Sequence, residues 1–293
     1  MAAPPTKAAA LAELGDALGA DLALIRCLSL KPESAVFLGQ MAGQPVILKQ
    51  FFQDAEATLA RMQDELELVS TQMQGTRHAI NRVLRVLPDL GVAVLEHAGD
   101  MRLSAALAEA GAQRPALIAQ AGEWLASYIG PRHRIEKFRP RRWIADLPQP
   151  SLGGALGHRV AMAFSHRARA LQGASFTRAA THGDFVPVNA MWRDGQIIGI
   201  DVQGQAWLPL ARDLARFLVW LHLTSPTPGP LYHGIAKADL TAMLTAPLLP
   251  QDEVQTILPF FIGQQLLALA EKLTDPQPQA RAMRALEHWA REA

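Results

Sequence analysis

A single cysteine, Cys27, in 293 residues excludes an intrachain disulfide and any thiolate metal cluster. No uninterrupted apolar run reaches membrane-spanning length, so no transmembrane helix is expected. The first residues, Met1-Ala2-Ala3-Pro4-Pro5-Thr6-Lys7, lack a basic start followed by an apolar core, which argues against a secretion signal. These absences point to a cytoplasmic protein. No His-Glu-x-x-His pattern occurs, leaving zinc-hydrolase chemistry without support. Charge of one sign is lacking as well: 28 basic residues stand against 27 acidic ones, so no strong overall field draws the chain to nucleic acid or to a polycation. One local exception is the basic segment Arg132-His133-Arg134-Ile135-Glu136-Lys137-Phe138-Arg139-Pro140-Arg141-Arg142-Trp143. It suits an anionic substrate, a nucleic acid or a lipid surface, or is simply a solvated face. No nucleic-acid-binding motif accompanies it.

With 49% hydrophobic residues the chain has ample material for a core, either as one bilobal unit or as two small domains. Its most specific feature is Thr181-His182-Gly183-Asp184-Phe185-Val186-Pro187-Val188-Asn189, followed by a hairpin pattern ending at Ile200-Asp201. Phosphoryl transfer needs one carboxylate to orient and deprotonate an attacking hydroxyl, and separate oxygen ligands for magnesium. Asp184 suits the first role, Asn189 and Asp201 the second. Arg193-Asp194-Gly195 lies between the strand-like runs Val188–Trp192 and Gln196–Asp201, and Asp-Gly in that setting is a hairpin signal. The alternative is that His182 and Asp184 cap a turn and Asp201 is a surface acid.

Upstream, Ala35–Gln40 and Gln44–Phe52 read as strands joined by Met41-Ala42-Gly43. Lys49 lies in the second, where an ammonium must either reach solvent or meet an anion such as phosphate. Asp54 then caps a helix with an apolar stripe at Leu59, Met62, Leu66, Val69 and Met73. Glu65 borders that stripe and is placed to point inward toward Lys49, or else is a solvated helix acid.

In this order, strand lysine, helix glutamate, His-Gly-Asp with its asparagine and Ile-Asp resemble the aminoglycoside phosphotransferase and choline kinase-like family. The resemblance covers most of the chain, with Leu95–Leu103 similar to the hinge and Pro209–Ala215 to the helix start after the second metal aspartate. It implies an α+β, bilobal protein-kinase-like fold, a small N-terminal antiparallel-sheet lobe over residues 1–95 with a leading helix, and a larger, mainly helical C-terminal lobe over 96–293. ATP would bind between the lobes with Mg2+. Carried over, Asp184 is the base, Asn189 and Asp201 hold magnesium, Lys49 holds ATP phosphates, Glu65 pairs with Lys49, and the backbone of Glu96, His97 and Ala98 holds adenine. Asp213 resembles a position that anchors the catalytic loop.

The chain departs from the family in three places. It has no glycine-rich nucleotide loop, so the Ser34 region would serve instead. Val202-Gln203-Gly204 resembles the run found in sugar-kinase branches, and Tyr128 stands near where many relatives place a histidine. Only eleven residues separate Asp201 from Asp213 and no Ala-Pro-Glu follows, which excludes a peptide-presenting activation segment. The expected partner is therefore a small-molecule hydroxyl substrate, preferably a sugar or amino sugar, with no nucleic acid and no membrane; the oligomeric state stays open. The alternatives are a choline or aminoglycoside kinase, a catalytically silent ATP-binding module, or a phosphoester hydrolase.

Helices are expected over residues 6–19, 103–110, 116–128, 152–171, 211–222, 253–273 and 280–292. Proline-containing links are expected at Leu147-Pro148-Gln149-Pro150, Ser225 to Pro230 and Asp275 to Pro278.

Overall fold

The computed structural model describes residues 6–145, 154–202 and 206–292. The expected link at Leu147–Pro150, the start of the expected helix at Leu152, and Gln203-Gly204 lie outside the described residues. The chain divides into two compact units, Met1–Asp100 with Met191–Gln205, and Met101–Ala190 with Ala206–Ala293.

The first unit carries a five-stranded antiparallel sheet. Its strands are β1 (Leu22–Leu30), β2 (Ser34–Met41), β3 (Gln44–Phe51), β5 (Val83–Leu87) and β6 (Val92–Glu96), in the order β1-β2-β3-β6-β5. Ala42 and Gly43 join β2 to β3 with φ of 49° and 77°, a two-residue turn whose positive φ values match strand twist. Helix α1 (Lys7–Ala17) starts at Thr6, whose hydroxyl accepts from Ala9 N–H, and buries Ala10 and Leu14 beside Phe37, Leu48 and Val94. Helix α2 (Ala55–Gln72) buries Leu59, Met62, Leu66 and Val69 as the spacing predicts, and Glu65 with them. Asp54 differs from expectation. It occupies the N-cap position at φ 46° and its side chain makes no capping bond, so α2 starts without that support.

The hairpin β9 (Ala190–Arg193) and β10 (Gln196–Gly199) turns through Asp194 and Gly195, both at positive φ. It forms a second sheet with β4 (Ala79–Ile80), which pairs in parallel with β10. Ala98, Met191 and Ile198 make a small apolar cluster there, and this packing places the hairpin in the first unit although it follows the catalytic-loop motif in sequence. The strand expected at Val188–Trp192 begins later. Pro187, Val188 and Asn189 form a 3-10 turn, with proline at the first position, where its missing N–H costs nothing.

The second unit holds a three-stranded sheet, β11-β8-β7, made of β7 (His133–Lys137), β8 (Ser175–Thr181) and β11 (Ala206–Pro209). A two-stranded ribbon, β12 (Leu231–Tyr232) with β13 (Ile235–Ala236), lies in the same unit. Helices are α3 (Leu103–Glu109), α4 (Arg114–Ile129), α5 (Pro140–Ala145), α6 (Gly154–Leu171), α7 (Leu210–Thr224), α8 (Lys237–Met243), α9 (Gln251–Gln255), α10 (Ile257–Lys272) and α11 (Pro276–Arg291). Helix α10 is buried on nearly every side, as its apolar run Ile257-Leu258-Pro259-Phe260-Phe261-Ile262 requires. Phe138, Phe164, Phe176, Phe260, Phe261 and Trp143 meet edge to face around it. The single helix expected over 253–273 is two helices. Pro259 offers no N–H to the Gln255 carbonyl four residues back and its ring crowds that carbonyl, so α9 ends at Gln255. Arg114 ties α4 to the end of α7 and to α8, donating to Asp239 Oδ1 and Oδ2 at 3.2 and 2.9 Å and to the Ser225 carbonyl at 2.7 Å. Among the described residues, no helix is long and apolar enough to cross a membrane.

Candidate active site

The loop from His182 to Asn189 leaves the end of β8 and is nailed down by its apolar members. Phe185 and Val186 are buried, with Phe185 stacked between Trp124 and Phe217 at centroid distances of 5.5 and 4.8 Å. Gly183 adopts φ 82°, a conformation that glycine reaches without a Cβ penalty. Helix α7 holds this glycine from both sides: its N–H donates to Asp213 Oδ2 at 3.0 Å, and its carbonyl accepts from Arg212 Nη1 at 3.3 Å.

Asp184 follows, its side chain 48% exposed. Two donors grip the carboxylate. Arg216 on α7 donates from Nε to Oδ1 at 2.6 Å, with its Nη2 at 2.5 Å from the same oxygen. Asn189 donates from Nδ2 to Oδ2 at 3.1 Å and to the Asp184 carbonyl at 3.0 Å. Arg216 is itself steadied by Gln265 on α10, whose Oε1 accepts from Nη1 at 3.3 Å. An ion pair this exposed contributes only about 0–1 kcal/mol to folding, so its main effect is to fix where the carboxylate points.

Asp213 is fully buried, and burial pushes its carboxyl above the usual aspartate range, against the Gly183 N–H and the charges of His182, Arg212 and Arg216. Burial also lowers Arg212, with Arg216 adding to that and Asp213 and Asp184 opposing it. A raised carboxyl pKa means the folded chain holds the proton more tightly than the unfolded one. Its contribution to stability is therefore full below the ordinary aspartate range and is lost as pH rises through the folded value. Asp213→Asn keeps an oxygen to accept the Gly183 N–H and has no proton to lose. The unfolding free energy of the variant relative to the native chain is expected to rise with pH from about 4 upward. A difference that stays flat in urea titrations across that range would show that Asp213 titrates alike in both states.

In the first unit Lys49 is 6% exposed on β3 and forms an ion pair with Asp201, with its amine 5.3 Å from the Phe51 ring centroid. The lysine pairs with Asp201, and Glu65 lies buried on α2 at 1% exposure. Asp201 follows β10 at φ 63°, a conformation aspartate tolerates better than bulkier residues, and its side chain is 31% exposed. Ser34 opens β2 opposite Phe51, and its carbonyl accepts the Lys31 N–H across the turn where a glycine-rich loop was missing. Glu96 ends β6 and pairs with Arg82 at 3.0 Å and Arg193 at 3.7 Å. The Glu96 N–H donates to the Arg82 carbonyl, the His97 carbonyl accepts from Arg193 at 3.4 Å, and Ala98 is buried against Met191 and Ile198.

A magnesium ion, implied by the resemblance, fits the chemistry of these donors. In the second unit the Asn189 nitrogen is committed to Asp184, which leaves its Oδ1 as the atom a cation could take, and in the first unit Asp201 has carboxylate oxygens to offer. Both are the hard oxygen ligands magnesium prefers. Among the described residues no group of three or more His, Cys, Asp or Glu could hold a metal.

Arg212, Arg216 and Gln265 escaped the sequence reading. The available signal was two arginines four apart in the otherwise apolar run Leu210-Ala211-Arg212-Asp213-Leu214-Ala215-Arg216-Phe217, where buried charge demands a partner. The basic segment is largely engaged within the chain: Arg132 donates to the Tyr128 carbonyl at 2.7 Å, Arg134 lies 5.0 Å over Trp207 and Lys137 donates to Ser175 at 3.2 Å.

No family model matches the sequence, and no curated protein does. Solved structures do match. A thermostable mutant of the aminoglycoside phosphotransferase APH(4)-Ia gives a TM-score of 0.60 at 16% identity, over 92% of this chain and 95% of that one. The choline kinase LicA from Streptococcus pneumoniae gives 0.55 at 13% identity, over 96% and 97%. The amicoumacin kinase hAmiN, solved with AMP-PNP, Ca2+ and Ami, gives 0.52 at 12% identity, over 94% and 90%. The likeness spans nearly the whole of each chain, and at these identities it establishes a shared fold.

Proposed function

We propose that the protein is a phosphotransferase that moves the γ-phosphoryl group of ATP to a hydroxyl of a small, sugar-like molecule. The observation that carries this reading is Asp184: a carboxylate gripped by Arg216 and Asn189 on a loop whose neighbours are buried, with its remaining surface open. An acid that merely caps a turn has no need of a guanidinium and an amide from separate positions to aim it. The neighbours' kinase chemistry and the AMP-PNP and divalent ion of the amicoumacin kinase complex agree with the assignment.

In this mechanism Asp184 accepts a hydrogen bond from the acceptor hydroxyl and takes its proton as the new O–P bond forms and the bond to the ADP oxygen breaks. Lys49 donates to phosphate oxygens, and the Glu96–Ala98 backbone, with Ala98 on its apolar cluster, holds the base; Ser34 lies on the strand pair that would cover the triphosphate. Glu65 acts from its buried position on α2 beneath that sheet. Asn189 Oδ1 and Asp201 are the residues that would hold magnesium, which neutralises phosphate charge when bound. A quaternary ammonium is not served beside the loop, because Trp124, Tyr128, Phe185 and Phe217 are buried in the core rather than arranged as an open aromatic cage.

The test is ATP consumption by the purified protein against a panel of sugars, amino sugars, sugar acids and amino alcohols, with magnesium titrated. One class is expected to stimulate turnover. Asp201→Asn is expected to raise the magnesium concentration for half-maximal rate by about 10-fold or more. An unchanged magnesium dependence would remove Asp201 from the ligand set, and ATP binding without stimulated turnover by any class would favour a silent nucleotide-binding module.

A further inference from the structure

Arg212 and Arg216 sit four residues apart on α7 and so rise from one face of the helix, both directed to the loop that carries Asp184. Their environments differ. Arg212 is spent on the Gly183 carbonyl and faces buried Asp213 at 4.0 Å. Arg216 keeps 30% of its side chain exposed.

A guanidinium carries five N–H donors in a rigid plane. Arg216 uses the Nε and one Nη2 hydrogen on Asp184 and one Nη1 hydrogen on Gln265. One hydrogen on each terminal nitrogen is left, and with the Nη1 hydrogen on the Cδ side given to Gln265 the two would share the outer edge of the plane. That edge is the fork that carboxylates and phosphates accept in pairs.

We propose that the outer edge of Arg216 binds an anionic group of the acceptor, a carboxylate or a phosphate ester on a polyhydroxylated molecule, and so selects acidic acceptors over neutral and amine-bearing ones. The proposal rests on the phosphotransferase reading for the transfer step but not for the binding step. The inner edge of the same guanidinium aims Asp184, so the group that recognises the acceptor's charge also sets the base that takes its proton. Arg216 thus both contacts the acceptor and positions Asp184.

Matched triplets that differ only in charge test the idea: gluconate, glucose and glucosamine, and glycerate, glycerol and serinol. Each is assayed for magnesium-ATP turnover and, without nucleotide, for binding by titration calorimetry. In the native protein the acidic members are expected to show kcat/KM about 10–100-fold above their neutral partners, the worth of a charge-assisted forked pair, with the difference in KM. Arg216→Gln is expected to lower kcat for all members, because Asp184 loses its guide, and in addition to raise KM for the acids alone and so erase their preference, while Arg216→Lys, which keeps the charge without the fork, restores part of it. Preference for neutral or amine members, or an Arg216→Gln variant whose KM ratio between acidic and neutral members is unchanged, overturns the proposal and leaves phosphotransfer standing. Binding of acids with no ATP consumed from any triplet overturns phosphotransfer and leaves the anion site. Neither binding nor ATP consumption with any member of either triplet overturns both.

Discussion

Asp184→Asn is expected to lower turnover by about 10²–10⁴-fold, the range for losing a positioned general base, with ATP affinity essentially unchanged. The size of the effect has two sources in the structure. The amide cannot take the hydroxyl proton, and it cannot satisfy its neighbours as the carboxylate does. Arg216 and the Asn189 amide both donate to Asp184, one to each oxygen. An asparagine offers one acceptor atom to these two donors, so whichever way it turns, an N–H group is set against another donor. Turnover measured beside nucleotide affinity separates this from a folding defect, because a chain that fails to fold loses both. A variant that kept native turnover would remove Asp184 as the base, and with it the argument built on its two-sided grip.

The largest stability effect is expected at Trp289. Its ring is fully buried on α11, its Nε1 donates to the Pro259 carbonyl at 2.7 Å, and Phe164 and the Arg167 guanidinium lie 4.5 and 5.4 Å from its centroid. It also rests directly on Gly263 of α10, where a Cβ would fall 2.2 Å from ring carbon Cε2. Trp289→Ala removes the ring, leaves the cavity it filled, and strips the Pro259 carbonyl of its donor. The expected cost is about 3–5 kcal/mol in urea unfolding followed by circular dichroism. Gly263→Ala acts from the opposite side, pressing a methyl into the ring, with an expected cost of about 1–3 kcal/mol. Because both changes act on one contact, the double variant should lose less than the two single losses added together. Strict additivity would mean that the ring and the glycine do not meet.

What could be read from sequence was local in sequence. Asp184, Asn189 and the Asp194-Gly195 turn fall within a dozen residues, and strand alternation around Lys49 and the helical stripe from Leu59 to Val69 depend on neighbours a few positions away. Glu65 was legible as an inward residue, because periodicity sets which face a side chain occupies. What that face meets was not, since periodicity says nothing of it, and neither was the ion pair of Lys49 with Asp201, more than a hundred residues on. Arg216 was hidden for the same reason: the bond that gives it meaning spans 32 positions. The break between α9 and α10 was legible and missed, since Pro259 forbids the bond that a continuous helix from 253 would need. The start of β9 at Ala190 instead of Val188 follows from Pro187 in the same way.

The parallel pairing of β4 with β10 has a consequence for how the chain is made. Ala79 and Ile80 emerge from the ribosome long before their partners Ile198 and Gly199. At about 5–20 residues per second, the nascent chain waits on the order of ten seconds with that edge unpaired. Through this interval the apolar faces of Ala79 and Ala98 have no Met191 or Ile198 to cover them. The first unit therefore cannot mature as its own residues are synthesised; it is finished by a segment translated after most of the second unit's sheet and four of its helices. A ribosome stalled before residue 191 would hold a complete five-stranded sheet and a β4 without its partner, the species on which a chaperone would act.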